Sequence, residues 1–174
     1  MRKLILFAFI VTLLLWGCTS SNGTGNFKLY LTDQPIDIDN AEEILVTISE
    51  INIQKTEEGF STVWEGTEPL EYDLLKLKDK EILILDITLE EGTYTQIRLV
   101  VGSGSIKIIG EDDYHNMTVP SSEVKIPVVF NIMEGGATEI VLDFEADESI
   151  HVVYAGQSEQ YILRPVIRVK SISY

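Results

Sequence analysis

The chain has 174 residues, of which 13 are Lys or Arg and 28 are Asp or Glu, so its net charge at neutral pH is −15. A surface this acidic repels phosphate groups, which argues against nucleic acid as a partner and disfavours docking onto anionic lipid. The single cysteine excludes a disulfide framework, and two histidines without further cysteines are too few for a dedicated transition-metal site.

The chain begins with a hydrophobic leader. Basic residues at positions 2 and 3 precede the apolar run 4–15, which is shorter than the roughly 20 residues that a membrane-spanning helix needs. The leader ends in Leu15-Trp16-Gly17-Cys18, and Cys18 is the only cysteine. This arrangement resembles the lipobox of a bacterial lipoprotein, in which the thiol receives diacylglycerol and the peptide is cut before the cysteine. An ordinary secreted protein with a free cysteine and an uncleaved anchor are the alternatives.

The lipobox resemblance predicts three segments. Residues 1–17 form a lipoprotein signal peptide, residues 18–26 contain the lipidated cysteine and a flexible polar tether, and residues 27–174 form one domain. Diacylglycerol on the thiol, with a further acyl chain such as palmitate on the freed amine, anchors a protein stably to a membrane. We therefore expect an extracytoplasmic protein that is lipid-anchored to the cell membrane or the outer membrane.

Alternation of apolar and polar residues dominates the rest of the chain, which indicates strands with one buried face. The alternating apolar positions are Phe27, Leu29, Leu31, Ile97, Leu99, Val101, Ile140, Leu142, Phe144 and Ala146. The phase changes near Ser49-Glu50, which predicts a β-bulge there. Gly102-Ser103-Gly104-Ser105 lacks the motif of a nucleophile elbow or a P-loop, and we interpret it as a flexible hairpin turn. The pattern predicts an all-β, single-domain sandwich of mostly antiparallel strands with at most short helical turns.

Three segments of this pattern carry more specific predictions. Residues 73–89 are ambiguous between helix and strand, because the apolar run is too short for periodicity to decide. Asp143, Glu145 and Asp147 alternate with apolar residues and predict a solvated acidic face on one strand. Pro165 lacks a backbone N–H, so the strand over 161–169 is expected to lie at an edge or to bulge at the proline.

Four blocks of sequence, in order along the chain, resemble the family called domain of unknown function 4382. The blocks are Leu31-Thr32-Asp33-Gln34-Pro35 with Asp37-Ile38-Asp39-Asn40-Ala41, then Gly92-Thr93-Tyr94-Thr95-Gln96-Ile97-Arg98-Leu99, then Leu142-Asp143-Phe144-Glu145-Ala146, then Leu163-Arg164-Pro165-Val166-Ile167-Arg168-Val169. The resemblance implies a transthyretin-like or carbohydrate-binding-like β-sandwich in secreted or lipid-anchored prokaryotic proteins, and it implies no catalytic residues. The chain departs from the family pattern at Glu145 and Glu148, where aspartate and a basic residue are expected.

Four aspartates are candidates for a calcium site: Asp33, Asp37, Asp39 and Asp143. Calcium prefers six to eight oxygen ligands, and a loop can direct several carboxylates to one point. Alternatively, the first two aspartates hydrogen-bond the backbone of a turn around Pro35, and the acidic residues pair with arginines across the sheet. Apart from calcium, we expect no cofactor.

We expect the domain to act without catalysis, as a binding or structural module with a carbohydrate or another envelope protein as its partner. A calcium-assisted carbohydrate-binding module and a carboxylate-dependent hydrolase are the alternatives. Sugar-binding sandwiches stack aromatic rings on pyranose faces, and the aromatic candidates are Tyr30, Trp64, Tyr94, Tyr114 and Tyr154. We expect Trp64 and Phe60 to pack in or beside the core instead.

Overall fold

The computed structural model describes residues 23–33, 40–155 and 158–174. Over these residues the chain forms eleven strands, a 3₁₀ turn at Leu74–Leu77 and a one-turn helix, α1, at Ala146–Ser149. The strands are β1 (Thr24–Thr32), β2 (Ala41–Lys55), β3 (Gly59–Asp73), β4 (Ile82–Glu90), β5 (Gly92–Ile108), β6 (Tyr114–Asn116), β7 (Glu123–Ile132), β8 (Ala137–Phe144), β9 (Ile150–Ala155), β10 (Ser158–Leu163) and β11 (Ile167–Ser173). The ambiguous segment 73–89 thus divides into the 3₁₀ turn and β4.

Two sheets pack face to face, and a hairpin extends from one end of them. The first sheet has the order β11-β8-β1-β4, with β1 and β8 parallel and the other pairs antiparallel. In the second sheet β3, β2 and β5 are neighbours, while β7 and β6 pair with successive parts of the other edge of β5. Strands β9 and β10 form the antiparallel hairpin. This arrangement confirms the predicted all-β sandwich.

The core contains the alternating side chains that the sequence pattern indicated. Phe27, Leu29 and Leu31 of β1 are fully buried, as are the matching apolar residues of β5 and β8. The predicted bulge is confirmed, because the register of β2 against both of its neighbours shifts between Ile48 and Glu50. This shift brings the apolar residues on both sides of the bulge to the same buried face.

Three aromatic rings form a continuous stack inside the sandwich. Phe130 of β7 lies between Phe27 of β1 and Tyr94 of β5, with ring centroids 5.2 Å apart in both pairs. Phe130 is fully buried, and Tyr94 is nearly so. The stack therefore joins the two sheets near the end where β1 begins.

The segment Gly102-Ser103-Gly104-Ser105 lies inside β5, so the prediction of a hairpin turn is wrong. The Ser103 N–H donates to Thr47 Oγ1 of β2 at 2.9 Å, and the ladder with β2 continues through the segment. A Cβ on Gly104 would lie 2.7 Å from Leu163 Cδ2 and 2.8 Å from Met117 Cε. The glycine at this position provides space for packing rather than a turn conformation.

The predicted acidic face around Asp143 is also wrong. Strand β8 ends at Phe144, and Asp147 belongs to α1 instead of continuing the strand. Asp143 is only 3% exposed. Alternation identified the residues that share a face, but whether that face meets water depends on what packs over it.

Proline divides the predicted last strand into two. Strand β10 ends before Pro165 and β11 begins after it, because proline has no N–H for the ladder. The buried Ser149 of α1 supports this break: its carbonyl accepts the Arg164 N–H and its hydroxyl accepts the Val166 N–H, both at 2.8 Å. The chain therefore changes sheets at this proline.

Strand β1 begins at Thr24, so three residues that we assigned to the tether belong to the first strand. The polar side chains there do not prevent pairing, since the backbone forms the bonds. Gly135 N–H donates to Thr24 O at 2.8 Å, and Glu91 N–H donates to Gly23 O at 2.7 Å. We call this end of the sandwich, with the β4–β5 and β7–β8 turns, the tether end.

Candidate functional site

One face of the β9–β10 hairpin carries four side chains that line a cleft. Tyr154 pairs with Glu159, and Val152 pairs with Tyr161, in the antiparallel register. Because alternate residues share a face and paired residues lie side by side, the four side chains form one surface. The hairpin thus supplies a wall with two aromatic rings, a carboxylate and an aliphatic side chain.

The opposite wall comes from the far end of β5 and the residues after it. Ile106 and Ile108 alternate to the same side of β5, and Ile109 and Glu111 follow. The Ile109 N–H donates to Asn40 O at 2.7 Å, which joins this wall to the start of β2. We call the space between the two walls the hairpin cleft, and its volume is about 300 Å³. This volume is at the lower end of the range for small-molecule sites.

A chain of polar contacts runs along the hairpin cleft. Glu111 Oε2 lies 2.5 Å from His115 Nε2, and the His115 ring lies 5.2 Å from the Tyr161 ring. The Tyr161 hydroxyl donates to Glu159 Oε2 at 2.8 Å. Burial, together with this hydrogen bond to Glu159, raises the pKa of Tyr161 to about 12. Tyr161 is therefore a neutral donor at physiological pH, and each carboxylate already has one partner that orients it.

The rim of the hairpin cleft carries two large exposed apolar side chains beside its polar ones. Tyr154 is 72% exposed and Ile109 is 65% exposed, and they approach the cleft from opposite walls. Single exposed apolar residues are common on protein surfaces and need no explanation. Two large ones at the rim of the same concave site are typical of a binding surface.

Backbone hydrogen bonds fasten the hairpin to the second sheet. Thr118 N–H donates to Tyr161 O and Leu163 N–H donates to Thr118 O, both at 2.9 Å. Met117 N–H donates to Gly104 O at 2.8 Å, which continues the connection into β5. The missing side chain of Gly104 lets Leu163 pack closely there. The wall that carries Tyr161 is consequently fixed to the body of the sandwich.

A second cavity, of about 270 Å³, lies at the tether end. Lys55 Nζ lies 2.8 Å from Glu58 Oε1 and 2.9 Å from Glu90 Oε2. Two hydrogen bonds raise the pKa of Lys55, and the one to Glu58 has a larger effect than the one to Glu90. A lysine held charged by two carboxylates is unsuited to nucleophilic chemistry, so we interpret this cluster as a structural connection between β2 and β4.

The profile of the family described as domain of unknown function (DUF4382) matches residues 24–165, which is well over half of the chain. The chain belongs to the DUF4382 family. The match confirms the family resemblance, contains the first three sequence blocks and the start of the fourth, and includes both walls of the hairpin cleft. No protein with a curated description and no solved structure matches the chain.

Glu145 and Glu148, where the sequence resemblance implied other residues, have a common partner in this DUF4382 domain. Glu148 Oε2 lies 2.9 Å from Arg168 Nη2, and Glu145 accepts a hydrogen bond from Nη1 of the same arginine. Arg168 belongs to β11, which begins after the matched segment ends. An arginine from the last strand therefore offsets the added negative charge at this corner.

Two of the calcium candidates do not share a face: Asp33 directly follows the end of β1, and Asp143 lies on the neighbouring β8. Asp143 pairs with Thr32 in the parallel β1–β8 register, so Asp33, the next residue, points to the opposite side. Asp33 is 2% exposed, and its Oδ1 accepts the Ala146 N–H at 3.4 Å. Sequence alone gave no register for this pair, which is why their separation was not predictable.

Asp37, Asp39 and Cys18 lie outside the described residues. Within 23–33, 40–155 and 158–174, no group of three or more His, Cys, Asp or Glu side chains is arranged to hold a metal ion. Calcium binding and lipidation of Cys18 therefore stay predictions. In the same parts of the chain, no helix has the length and apolarity needed to span a membrane.

The other aromatic candidates have different environments. Trp64 is partly buried against the core, as predicted. Phe60 is 38% exposed and has the Arg98 guanidinium 3.4 Å from its ring centroid, so it packs at the surface. Tyr154 is the one candidate of this set in the hairpin cleft.

Sequence reasoning missed Glu111, Glu159 and Tyr161 as site residues. The β-branched and aromatic residues on both sides of the turn signal Gly156-Gln157-Ser158 were a signal for a hairpin. The register of that hairpin places Tyr154, Glu159 and Tyr161 on one face. No sequence pattern indicated Glu111 as a site residue, because it reaches the hairpin cleft from the segment after β5. Long-range packing brought the two segments together.

Proposed function

We propose that this DUF4382 domain is a non-catalytic module that binds a small ligand in the hairpin cleft, and that lipid on Cys18 holds it at the cell envelope. The observation that carries the proposal is the composition of the cleft. Two aromatic rings and several aliphatic side chains surround a few oriented polar groups, which is the usual composition of ligand sites.

The exposure of the two carboxylates favours binding over hydrolysis. A carboxyl group that acts as a general acid needs an apolar environment that raises its pKa. Glu111 and Glu159 are both exposed, and each already accepts a contact from His115 or Tyr161. Exposed, oriented carboxylates are suited to accepting hydrogen bonds from a ligand.

The direction of β5 supports an anchored receptor-like arrangement. The strand runs from Gly92 at the tether end to Ile108 at the hairpin cleft, a length of roughly 50 Å for 17 residues. Cys18 precedes Thr24 by six residues, which extend at most about 20 Å. A lipid on Cys18 would thus leave the cleft directed away from the membrane and accessible from solution.

Metabolic labelling tests the anchor. Cells that express the full chain are grown with labelled palmitate and then fractionated. We expect label on the wild-type protein and its recovery with membranes, and neither for Cys18→Ala. Thr19→Ala is the matched control and should keep both properties. Label on Cys18→Ala, or none on the wild type, would refute the anchor without affecting the cleft.

A ligand panel tests the cleft. The full chain is purified in a polyoxyethylene detergent, and its melting temperature is measured with neutral sugars, alkylamines and quaternary amines. Tyr154→Ala should abolish any stabilisation, whereas Tyr174→Ala should preserve it. Tyr174 is a suitable control because it is 63% exposed, compared with 72% for Tyr154, and lies at the tether end. Stabilisation that survives Tyr154→Ala contradicts the assignment of the cleft.

Calcium-assisted carbohydrate binding is the second candidate, and the exposed Tyr154 ring in a cleft with two carboxylates favours it. It predicts that calcium raises the melting temperature and that Asp33→Asn removes this increase. Asp33 is buried, so the substitution also lowers stability by itself. The rise in melting temperature on adding calcium is therefore measured separately for the wild type and for Asp33→Asn. An equal rise in both proteins rejects this role for Asp33.

A further inference from the structure

We propose that the hairpin cleft selects organic cations, namely an ammonium group on a small apolar body, over neutral ligands of the same shape. This inference rests on the proposed function, since it names the ligand class of the same cleft. It follows from the charge of the cleft, the exposure of its Tyr154 ring and the balance of its hydrogen-bonding groups.

The charge of the cleft is negative. Glu111 and Glu159 contribute carboxylates from opposite walls, and none of the described side chains that line the cleft is lysine or arginine. The mature chain after residue 17 would have 11 basic and 28 acidic residues, a net charge of −17. A negative cleft in a strongly acidic protein concentrates cations and disfavours anions.

The hairpin presents one exposed tyrosine ring to a ligand, because Tyr154 is 72% exposed whereas Tyr161 is only 6% exposed. Tyr154 pairs with Glu159, and Tyr161 is two residues farther along β10, so the tyrosines are diagonal neighbours on one face. A cation over the exposed Tyr154 ring, within roughly 6 Å of its centroid, would gain cation–π attraction next to the Glu159 carboxylate that pairs with Tyr154.

Carboxylates, which favour a cation, outnumber the one amide, that of Asn40, among the polar side chains that line the cleft. A sugar hydroxyl both donates and accepts, whereas an ionised carboxylate only accepts. The Tyr161 hydroxyl, a donor of the cleft, is already directed to Glu159. A ligand that brings positive charge and an apolar surface matches the carboxylates and the aliphatic walls at the same time.

Isothermal titration calorimetry with matched probes tests this selectivity. Choline is compared with dimethylbutanol, its neutral carbon isostere, and with methyl glucoside as a neutral pyranose. The protein is the full chain in a polyoxyethylene detergent, because maltoside or phosphocholine detergents would resemble the probes. We expect choline to bind at least about tenfold more tightly than dimethylbutanol, and added salt to weaken choline binding.

Two pairs of variants locate the effect. Tyr154→Ala and Glu159→Gln should each weaken choline binding about tenfold, and Glu159→Gln should leave dimethylbutanol binding unchanged. Tyr174→Ala and Glu134→Gln are the controls at the tether end and should bind choline like the wild type. An equal loss in Glu134→Gln would mean that overall charge attracts the cation, and this would overturn the inference.

The outcomes separate this inference from the proposed function. If dimethylbutanol or methyl glucoside binds as tightly as choline and Tyr154→Ala abolishes that binding, the cleft is a ligand site but is not cation-selective. If no probe binds, and none of the sugars and amines of the panel stabilises the protein, both proposals fail. Tight choline binding that requires Tyr154 and Glu159 supports both.

Discussion

Replacing Phe130 by alanine tests whether the aromatic stack holds the two sheets together. A buried Phe→Ala substitution costs about 3–5 kcal/mol of unfolding free energy, because apolar contacts are lost and a cavity remains. Phe130 is fully buried and stacks on both Phe27 and Tyr94, and such ring pairs contribute about 0.5–1.5 kcal/mol each beyond buried area. We therefore expect a loss near the upper limit, about 5 kcal/mol, which is a large part of a typical domain's stability of about 5–15 kcal/mol.

Urea unfolding of the full chain, followed by circular dichroism, measures this loss. The neighbouring Val129 is 66% exposed on the outer face of β7, so Val129→Ala is the matched control and should change stability by less than about 0.5 kcal/mol. Phe130→Leu retains much of the buried volume and keeps the test usable if the alanine variant does not fold. A loss below about 2 kcal/mol for Phe130→Ala, or an equal loss for Val129→Ala, would refute the role of the stack.

Two further substitutions test the support of the cleft and the acid stability. Gly104→Ala puts a Cβ 2.7 Å from Leu163 Cδ2, so we expect urea unfolding to show about 1–3 kcal/mol of destabilisation. We also expect weaker ligand binding in the hairpin cleft. A variant with the stability and the ligand affinity of the wild type would refute the close-packing role of Gly104. Hydrogen bonds from Tyr114 and Lys76 lower the pKa of Glu43, so its stabilising contribution is present above the ordinary glutamate pKa and is lost as pH falls through the lowered value. Glu43→Gln should therefore reduce the acid-induced fall in melting temperature, and an unchanged pH profile would contradict this.

Local alternation was sufficient to predict which residues form the core. Phe27, Leu29 and Leu31 face inward because a half-buried strand requires an apolar residue at every second position. The same rule located the bulge at Ser49-Glu50, since a change of phase must be absorbed by an extra residue if one face is to stay buried. Both features depend only on residues that are close in sequence.

Glycine and charged residues were harder to interpret. Gly104 provides space for Leu163, which is distant in sequence, and local reasoning assigned it to a turn. Asp143 alternates with core residues, but the structure buries it on the other face of β8. In both cases the environment comes from segments that a local pattern does not include.

The amino-acid pattern was enough to identify the all-β class, the core faces and the resemblance to the DUF4382 family. The hairpin cleft is different, because Tyr154 and Glu159 come from one hairpin and Glu111 from the segment after β5. Their meeting depends on Thr118 bonding to β10 and on the space beside Gly104. Periodicity reports which side of a strand is apolar, but the contacts between distant segments that create a binding site follow only from the packed chain.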